Sequence, residues 1–293
     1  MRTPRGKAGA ALALAAGVGF VALAAFSGLR DGGEPSRCAE GLVALGPRCC
    51  GEGQRLEAGR CAGAPSRCGP LHAVTAAGCV PAEVAGRRAL GGHHLRIGPG
   101  DWEAQGVVTP RDADVAGFEI DVFEVTEARW AECAGAGGCT PRPPAEPGLP
   151  VTGVPFDEAA AFCAWAGGRL PTRDELAVAI ARDGGRRYPW GDTGAVCRRG
   201  AWGLAAGPCA TGGAGPDVAG SHPDGASREG VHDLAGNVAE WATSPEGKGQ
   251  LADVLGGSWE DAEAAALRGW SHRSVPKATR APTIGFRCVY ASR

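Results

Sequence analysis

The sequence predicts an α+β domain rich in irregular loops, preceded by a small disulfide-stapled module and an N-terminal apolar segment. Three observations lead to this prediction: an uncharged run over residues 8–29, three equally spaced cysteine pairs between residues 38 and 79, and mixed strand and helix patterns after residue 92. At 293 residues the chain can hold one sizeable core and a smaller unit. We therefore expect an N-terminal membrane anchor or signal peptide, a linker with a cysteine-rich module, and a main domain, at residues 1–30, 31–91 and 92–293.

Composition excludes some classes of function. Thirty basic residues against 32 acidic ones leave a net charge of −2, so the chain has no bulk positive field to hold nucleic acid or an anionic membrane surface. Apolar residues make up 44% of the chain and include eight tryptophans, which favours a packed globule over a disordered chain despite 49 glycines and 22 prolines. We expect no nucleic-acid partner.

The first residues are typical of an export signal. Arg2, Arg5 and Lys7 precede the alanine-rich apolar run at residues 8–29, which is long enough to cross a bilayer with its positive end in the cytoplasm. We expect a single-span anchor in the inner membrane, with the rest of the chain extracytoplasmic, in the periplasm or at the cell surface. The alternative is cleavage near the small-x-small sequence Ala22-Leu23-Ala24, which would release a secreted protein.

The twelve cysteines agree with export, because an even set outside the reducing cytoplasm is expected to form disulfides. Three pairs are each separated by ten residues, which predicts three short closed loops. Six cysteines allow fifteen pairings, so this connectivity is a hypothesis. Zinc binding is the weaker alternative, because no two of these cysteines lie two to four residues apart. The predicted bonds are Cys38–Cys49, Cys50–Cys61 and Cys68–Cys79.

The main domain begins with one strand and three helices. Phe118, Ile120 and Val122 recur with the period of a half-buried strand, and Thr126 can cap a short helix after it. A second helix follows Asp157. This second helix is predicted to end at residues 167–168. A third helix is predicted to begin at the capping box of Thr172 and Glu175 and to end at residues 184–185.

Regular periodicity fades beyond residue 186. The remaining stretch is interpreted as long loops with two short strands, at residues 254–259 and 284–290. Loops of this length are not held by backbone ladders alone, and crosslinks or bound cations are the usual means of holding them.

Six motifs occur in register over residues 92–293, about two thirds of the chain. They are Phe123–Thr126, Phe162–Thr172, Tyr188–Asp192, Ala235–Trp241, Gly256–Trp259 and Gly285–Cys288. Together they resemble the formylglycine-generating enzyme, or sulfatase-modifying factor, domain family. The resemblance implies the irregular, C-type-lectin-like α+β fold of that family.

The remaining cysteines are expected to pair as well. The resemblance implies a disulfide between Cys163 and Cys288, whose positions are bonded in the family. Two further pairs are close enough in sequence to close their own loops, Cys133 with Cys139 and Cys197 with Cys209. With all twelve cysteines paired, no reactive thiol is expected, and nucleophilic catalysis by cysteine is not predicted.

The resemblance also implies where the family's chemistry would lie. The family's enzymes oxidise a substrate cysteine to formylglycine with molecular oxygen, using two copper-binding cysteines after the Gly-Gly-Ser-aromatic motif. Counted from Trp259, those two positions hold Asp261 and Ala266. Cu(I) prefers thiolates, whereas aspartate offers a hard oxygen and alanine offers no ligand. Copper is therefore not expected, and the oxidase centre is predicted to be lost.

Asn237 and Glu240 resemble a calcium site of the family, in which an amide oxygen, backbone carbonyls and a carboxylate meet. Hard oxygens on a tight loop suit Ca²⁺, so calcium is the cofactor we expect. An alternative interpretation is that Asn237 holds its own turn through hydrogen bonds to the backbone and that Glu240 is solvated.

A candidate ligand groove follows Trp259. Its residues would be Ser258, Asp261, Arg268, His272 and Arg273, although a charged and solvated loop explains them as well. We expect a non-catalytic binding or structural module that recognises a protein, peptide or glycan ligand in the cell envelope. The alternative is an enzyme on a protein or peptide substrate, either a formylglycine-generating-type oxidoreductase with partner-supplied thiols or another metal-dependent enzyme. No histidine pair with iron-ligand spacing supports that alternative.

Overall fold

The computed structural model describes residues 38–292, except positions 39, 47, 83–85, 99–108, 183–185, 213 and 245–248. The described residues belong to one structural unit, which runs from Pro35 to Arg293. The predicted anchor at residues 8–29 lies outside the described residues. Within the described part of the chain, no helix combines the length and the apolar character that a membrane span requires.

In the described residues, the cysteine-rich module consists of three antiparallel hairpins held by three disulfides, one of which, Cys50–Cys61, joins the first hairpin to the second. The strands are β1 (Leu42–Leu45), β2 (Arg48–Gly51), β3 (Arg55–Glu57), β4 (Arg60–Ala62), β5 (His72–Thr75) and β6 (Gly78–Pro81), paired in that order. The disulfides are Cys38–Cys49, Cys50–Cys61 and Cys68–Cys79, the pairs that the spacing predicted. Four of these cysteines and Leu42 form a small buried cluster, so the crosslinks themselves supply the core that so short a segment cannot build from apolar side chains.

Over its described residues, the main domain combines two sheets, one further hairpin and three helices. Its elements are β7 (Arg87–Leu90), β8 (His93–Ile97), β9 (Arg111–Val115), β10 (Phe118–Asp121), α1 (Glu127–Gly135), α2 (Phe156–Trp165), α3 (Arg173–Ala181), β11 (Ala239–Ala242), β12 (Leu251–Leu255), β13 (His272–Pro276), β14 (Ile284–Gly285) and β15 (Val289–Ala291). One sheet has the order β15-β10-β7 and the other β13-β12-β11-β14, while β8 pairs with β9. Long loops join these elements, as the α+β prediction required.

The predicted helix starts are confirmed, with one shift. Thr126 accepts a hydrogen bond from the backbone N–H of Arg129, and Thr172 with Glu175 forms the complete capping box at α3. The second helix begins at Phe156, one residue before Asp157, and has no side-chain cap. Helix α3 ends at Ala181, and its predicted stop at residues 184–185 lies outside the described residues.

The two predicted C-terminal strands are placed differently. The strand expected at residues 254–259 ends at Leu255, because Gly256 and Gly257 turn the chain with φ angles of 89° and 68°. The strand expected at residues 284–290 splits into β14 and β15, because β14 pairs with β11 and β15 pairs with β10 in the other sheet. The intervening residues cross between the sheets.

The main core lies where α1, α2 and the C-terminal strands meet. Trp130 stacks on Phe162 at 5.8 Å, and Phe286 packs edge-on against Phe162 at 5.4 Å. Beside these rings, Cys163 of α2 is bonded to Cys288, 125 residues later in the chain. The other two disulfides of the domain are Cys133–Cys139 and Cys197–Cys209. All twelve cysteines of the chain are therefore paired.

The cysteine-rich module packs directly on the main domain. The backbone of Gly148 approaches Cys79 so closely that an added Cβ would lie 2.1 Å from the Cys79 carbonyl oxygen. On the same side, Nε2 of His72 donates a hydrogen bond to the carbonyl oxygen of Ala219 at 2.6 Å. The module is therefore part of the folded body of the domain.

Candidate functional site

A turn-forming carboxylate, Asp261, stands at the position that the resemblance assigns to the first copper cysteine. Oδ2 of Asp261 accepts hydrogen bonds from the backbone N–H and the hydroxyl of Ser258, both at 2.8 Å. This geometry is a side-chain to backbone turn that orders the loop after Gly257. Asp261 and Ser258, two residues of the predicted groove, thus contact each other, and the contact orders their own loop.

Ala266, at the position that the resemblance assigns to the second copper cysteine, packs against the backbone of Gly257. Ala266 lies in a single 3₁₀ turn, Ala264–Leu267, which packs on Gly257. A Cβ added to Gly257 would lie 2.7 Å from Leu267 Cδ2 and 3.2 Å from the Ala266 carbonyl oxygen. Because all twelve cysteines are paired, the chain brings no thiolate of its own to this place.

The other predicted groove residues lie around β13. Nε2 of His272 accepts a hydrogen bond from Nη1 of Arg173 at 3.1 Å, and the guanidinium of Arg268 lies 5.8 Å from the ring centroid of Trp270. Arg273 is exposed on the same strand. His272, Trp270 and Arg173 line part of a 300 Å³ cavity, whereas the predicted groove residues Ser258, Asp261, Arg268 and Arg273 do not line it. The structure therefore divides the predicted groove into two parts.

Asn237 joins three segments of the chain. It lies in the left-handed region with φ 58°, its Nδ2 donates to Oε2 of Glu124 at 2.6 Å, and its Oδ1 accepts from the backbone N–H of Asp217 at 2.9 Å. The other oxygen of Glu124 accepts from the backbone N–H of Val238 at 3.1 Å. Both ends of the Asn237 amide are therefore engaged, and its contacts reach well beyond its own turn.

Glu240 is buried and ion-paired, so the interpretation of Glu240 as a solvated residue is wrong. It is 3% exposed, and both of its carboxylate oxygens accept hydrogen bonds from Arg287 at 2.7–2.9 Å. Arg287 also donates to the carbonyl oxygens of Asp121, Val122 and His232. These contacts tie β11, β10 and the Gly-Phe-Arg-Cys segment together.

A calcium ion does not fit the donors at Asn237 and Glu240 as they stand here. The Glu240 oxygens already face a guanidinium, and the Asn237 oxygen faces a backbone N–H, so an incoming cation would meet positive or donor groups at both places. Calcium binding itself stays a prediction. Sequence reasoning did not assign roles to Glu124 and Arg287, although both stand in the motifs that carry the family resemblance.

Burial is the largest effect on the pKa values of Glu124 and Glu240. It raises the pKa of Glu124 well above its ordinary value, and the neighbouring carboxylates of Asp233 and Glu240 raise it further. Burial also raises the pKa of Glu240, while Arg287 opposes that rise. The cluster is therefore a buried structural network in which the Arg287 cation offsets part of the acidic charge.

A buried cysteine, aspartate and histidine also meet beneath the module. Ligand atoms of Cys49, Asp217 and His222 lie within 4.8 Å of one another, and Nε2 of His222 is 3.0 Å from Oδ2 of Asp217. Cys49 is bonded to Cys38, so its sulfur is not a thiolate and cannot act as a strong metal ligand. The arrangement is a buried hydrogen bond between His222 and Asp217 that packs against a disulfide.

The joint between module and domain is expected to lose stability as the pH falls. His72 and His232 both lie next to Phe123, with ring centroids 6.1 and 5.1 Å from it. Burial lowers the pKa of both histidines below the ordinary 6.5, against the opposing effects of the Ala219 carbonyl on His72 and of Asp233 on both. Arg287 and Arg88 lower the pKa of His232 further. Both imidazoles are therefore neutral in the folded state near pH 7.

The direction of this pH dependence follows from the number of protons bound in the folded and unfolded states. Below pH 6.5 the unfolded chain takes up protons that the folded chain resists, so the histidine contribution is complete above 6.5 and is lost as the pH falls through the folded pKa values. Unfolding curves from pH 8 to pH 5 test this with a His72→Gln/His232→Gln variant as reference. The stability gap between wild type and variant should narrow toward pH 5. A gap that stays constant contradicts the assignment. Glu124 and Glu240 are present in both proteins, so their contribution to the pH dependence cancels in the difference between wild type and variant.

Comparison with known proteins agrees with this architecture. The model of the sulfatase-modifying factor enzyme 1-like domain family matches residues 83–292. The structure of PvdO from Pseudomonas aeruginosa is similar with a TM-score of 0.57 and 19% identity, covering 70% of this chain and 94% of that chain, which shows the fold.

Two curated relatives point in different functional directions. The inactive C-alpha-formylglycine-generating enzyme 2 of Mus musculus is 36% identical over 178 residues, 56% of each chain. The hercynine oxygenase of Mycolicibacterium thermoresistibile is 34% identical over 158 residues, 43% of this chain and 33% of that protein. This chain thus matches only a third to just over half of the length of these relatives. With the family match extending over most of the chain, the protein belongs to the sulfatase-modifying factor enzyme 1-like domain family.

Proposed function

We propose that this protein is an extracytoplasmic, non-catalytic member of its family that binds a protein, peptide or glycan ligand of the cell envelope. The observation that carries the proposal is the state of the two copper positions. Asp261 holds the Ser258 turn, Ala266 is part of a 3₁₀ turn packed on Gly257, and every cysteine is in a disulfide. Six disulfides support an oxidising compartment.

The binding surface that we propose lies around β13, where Arg268 and His272 contact Trp270 and Arg273 follows His272 on the strand. His272 and Arg273 are exposed, and the neighbouring cavity of 300 Å³ can receive a side chain of a ligand. Similarity to a relative whose name describes it as inactive agrees with a scaffold that kept its fold and changed its use.

The second candidate is an oxygen-dependent enzyme, favoured by the similarity to a hercynine oxygenase. The two candidates are separated by incubating the purified protein with Cu(I), oxygen and a cysteine-containing peptide, and by a parallel incubation with Fe(II) and oxygen. We expect neither stoichiometric metal by elemental mass spectrometry nor a change in peptide mass.

A matched variant shows whether this assay can detect a copper site at positions 261 and 266 of this fold. The Asp261→Cys/Ala266→Cys double variant replaces a hard ligand and a methyl group by two sulfurs, so it is expected to retain Cu(I) that the wild type does not. Formation of formylglycine by the wild-type protein would overturn the non-catalytic proposal. Disulfide mapping of the variant confirms that the six native pairs are intact.

A further inference from the structure

A cavity of about 390 Å³ lies between the third disulfide hairpin and helix α1. The hairpin lines one side with apolar side chains, Ala73, Val80, Pro81 and Ala82. Helix α1 lines the other side, and Asp121, Phe123 and Glu124 lie between the two. The hairpin precedes the stretch matched by the family model, residues 83–292, so this wall of the cavity comes from outside the family-matched part of the chain.

Arg87 of β7 presents an oriented guanidinium to this cavity. Its Cζ lies 3.2 Å from the ring centroid of Tyr290, and stacking of this kind fixes the plane of the donors. Its ion-pair partner Glu119 is 3.9 Å away, beyond hydrogen-bond distance, and no hydrogen bond of this guanidinium is formed within the described residues. The side chain is 35% exposed, so its donors remain accessible to a ligand.

The acidic side chains that line the cavity form no hydrogen bond with this cation within the described residues. Asp121 is already engaged, because its carboxylate accepts from Nη1 of Arg129 at 2.9 Å and from the Tyr290 hydroxyl at 3.1 Å. Burial raises the pKa of Glu124 well above its ordinary value, which favours its neutral form. Glu132 is exposed at the rim, where water and salt screen its charge.

We propose that this cavity binds a small organic carboxylate that carries an apolar group. The planar fork of Arg87 matches a carboxylate through two parallel N–H···O bonds, and the hairpin wall of Ala73, Val80 and Pro81 covers the apolar part. The volume is in the range of small-molecule pockets. Such a carboxylate is found both in free acids and at the C-terminus of a peptide. The site is separate from the β13 surface and does not depend on the function proposed for it.

Isothermal titration of the purified full-length chain tests the site with three probes: N-acetyl-leucine, its amide N-acetyl-leucinamide, and a tetrapeptide with a free C-terminal leucine. We expect at least one carboxylate probe to bind ten-fold or more tightly than the amide, since charge-assisted bonds to Arg87 require the anion. Binding of the tetrapeptide alone identifies a peptide C-terminus as the source, and binding of N-acetyl-leucine identifies a free acid. Equal affinities for acid and amide, or no binding of either carboxylate, overturn the proposal.

Two variants locate the binding. Arg87→Gln removes the cation, and Ala73→Trp fills the cavity from the module side without changing charge. Each is expected to weaken binding of the carboxylate probe ten-fold or more. Arg55→Gln, on an exposed arginine of the second hairpin, serves as the matched control and should bind as the wild type does. If Arg87→Gln and Ala73→Trp keep wild-type melting temperatures and wild-type affinity, the cavity is not the site.

Discussion

Removal of the Cys163–Cys288 disulfide is expected to cost about 5 kcal/mol of unfolding free energy, because the bond closes a loop of more than a hundred residues in the unfolded chain. The measurement is chemical denaturation of a Cys163→Ala/Cys288→Ala variant under non-reducing conditions. Both sulfurs are fully buried, so the loss of packing acts in the same direction as the loss of the crosslink.

The Cys133–Cys139 pair is the matched control. It closes a loop of only six residues of sequence separation, for which the same chain-entropy relation gives about 2 kcal/mol. The two double variants should therefore differ by about 2–3 kcal/mol. Equal losses from the long and the short loop would show that the stabilisation does not come from loop closure. They would shift the explanation to packing around Phe162 and Phe286.

Replacing Arg287 with methionine is expected to destabilise the protein by about 3–5 kcal/mol, because it leaves the buried Glu240 carboxylate without its cation. The substitution also removes the donors to three buried carbonyl oxygens. Urea unfolding at neutral pH measures the effect. Arg280→Met is the control, because Arg280 pairs with Glu158 at the surface and its loss should cost less than about 1 kcal/mol.

A second variant keeps this prediction testable if Arg287→Met does not fold. An Arg287→Met/Glu240→Leu protein removes both charges, so it should recover part of the stability that the single variant loses. A single variant with the wild-type denaturation midpoint contradicts the assignment of a structural pair. A double variant less stable than both single variants would indicate that the network as a whole, rather than the pair, holds the two sheets together.

The placement of the cysteine-rich module changes how the N-terminal part of the chain is understood. The sequence predicted three disulfide-closed loops in this module and assigned no role to it. In the structure, the third hairpin contacts Ala219 through His72 and lines the cavity beside Arg87. A segment without enough apolar surface for a core of its own thus gains stability from the domain and adds a wall to it.

The sequence by itself determined those features that depend on spacing and on neighbouring residues. Ten residues between cysteines were enough to predict the three hairpin disulfides, and Thr172 with Glu175 was enough to predict the start of α3, because both signals act over one loop or one turn. The absence of thiolates at positions 261 and 266 was readable from the motif register alone.

Only the tertiary structure decided which distant groups meet. Glu240 and Arg287 stand 47 residues apart in the sequence, and Glu124 and Asn237 stand 113 apart. No local pattern therefore showed that the predicted calcium ligands, Glu240 and Asn237, are held by the Arg287 guanidinium and by the Glu124 carboxylate. The division of the predicted groove, the neutral histidines under the module and the cavity beside Arg87 also arise from packing between remote elements. Their physical cause is burial, which sets the partner and the charge state of a side chain only after the chain has folded.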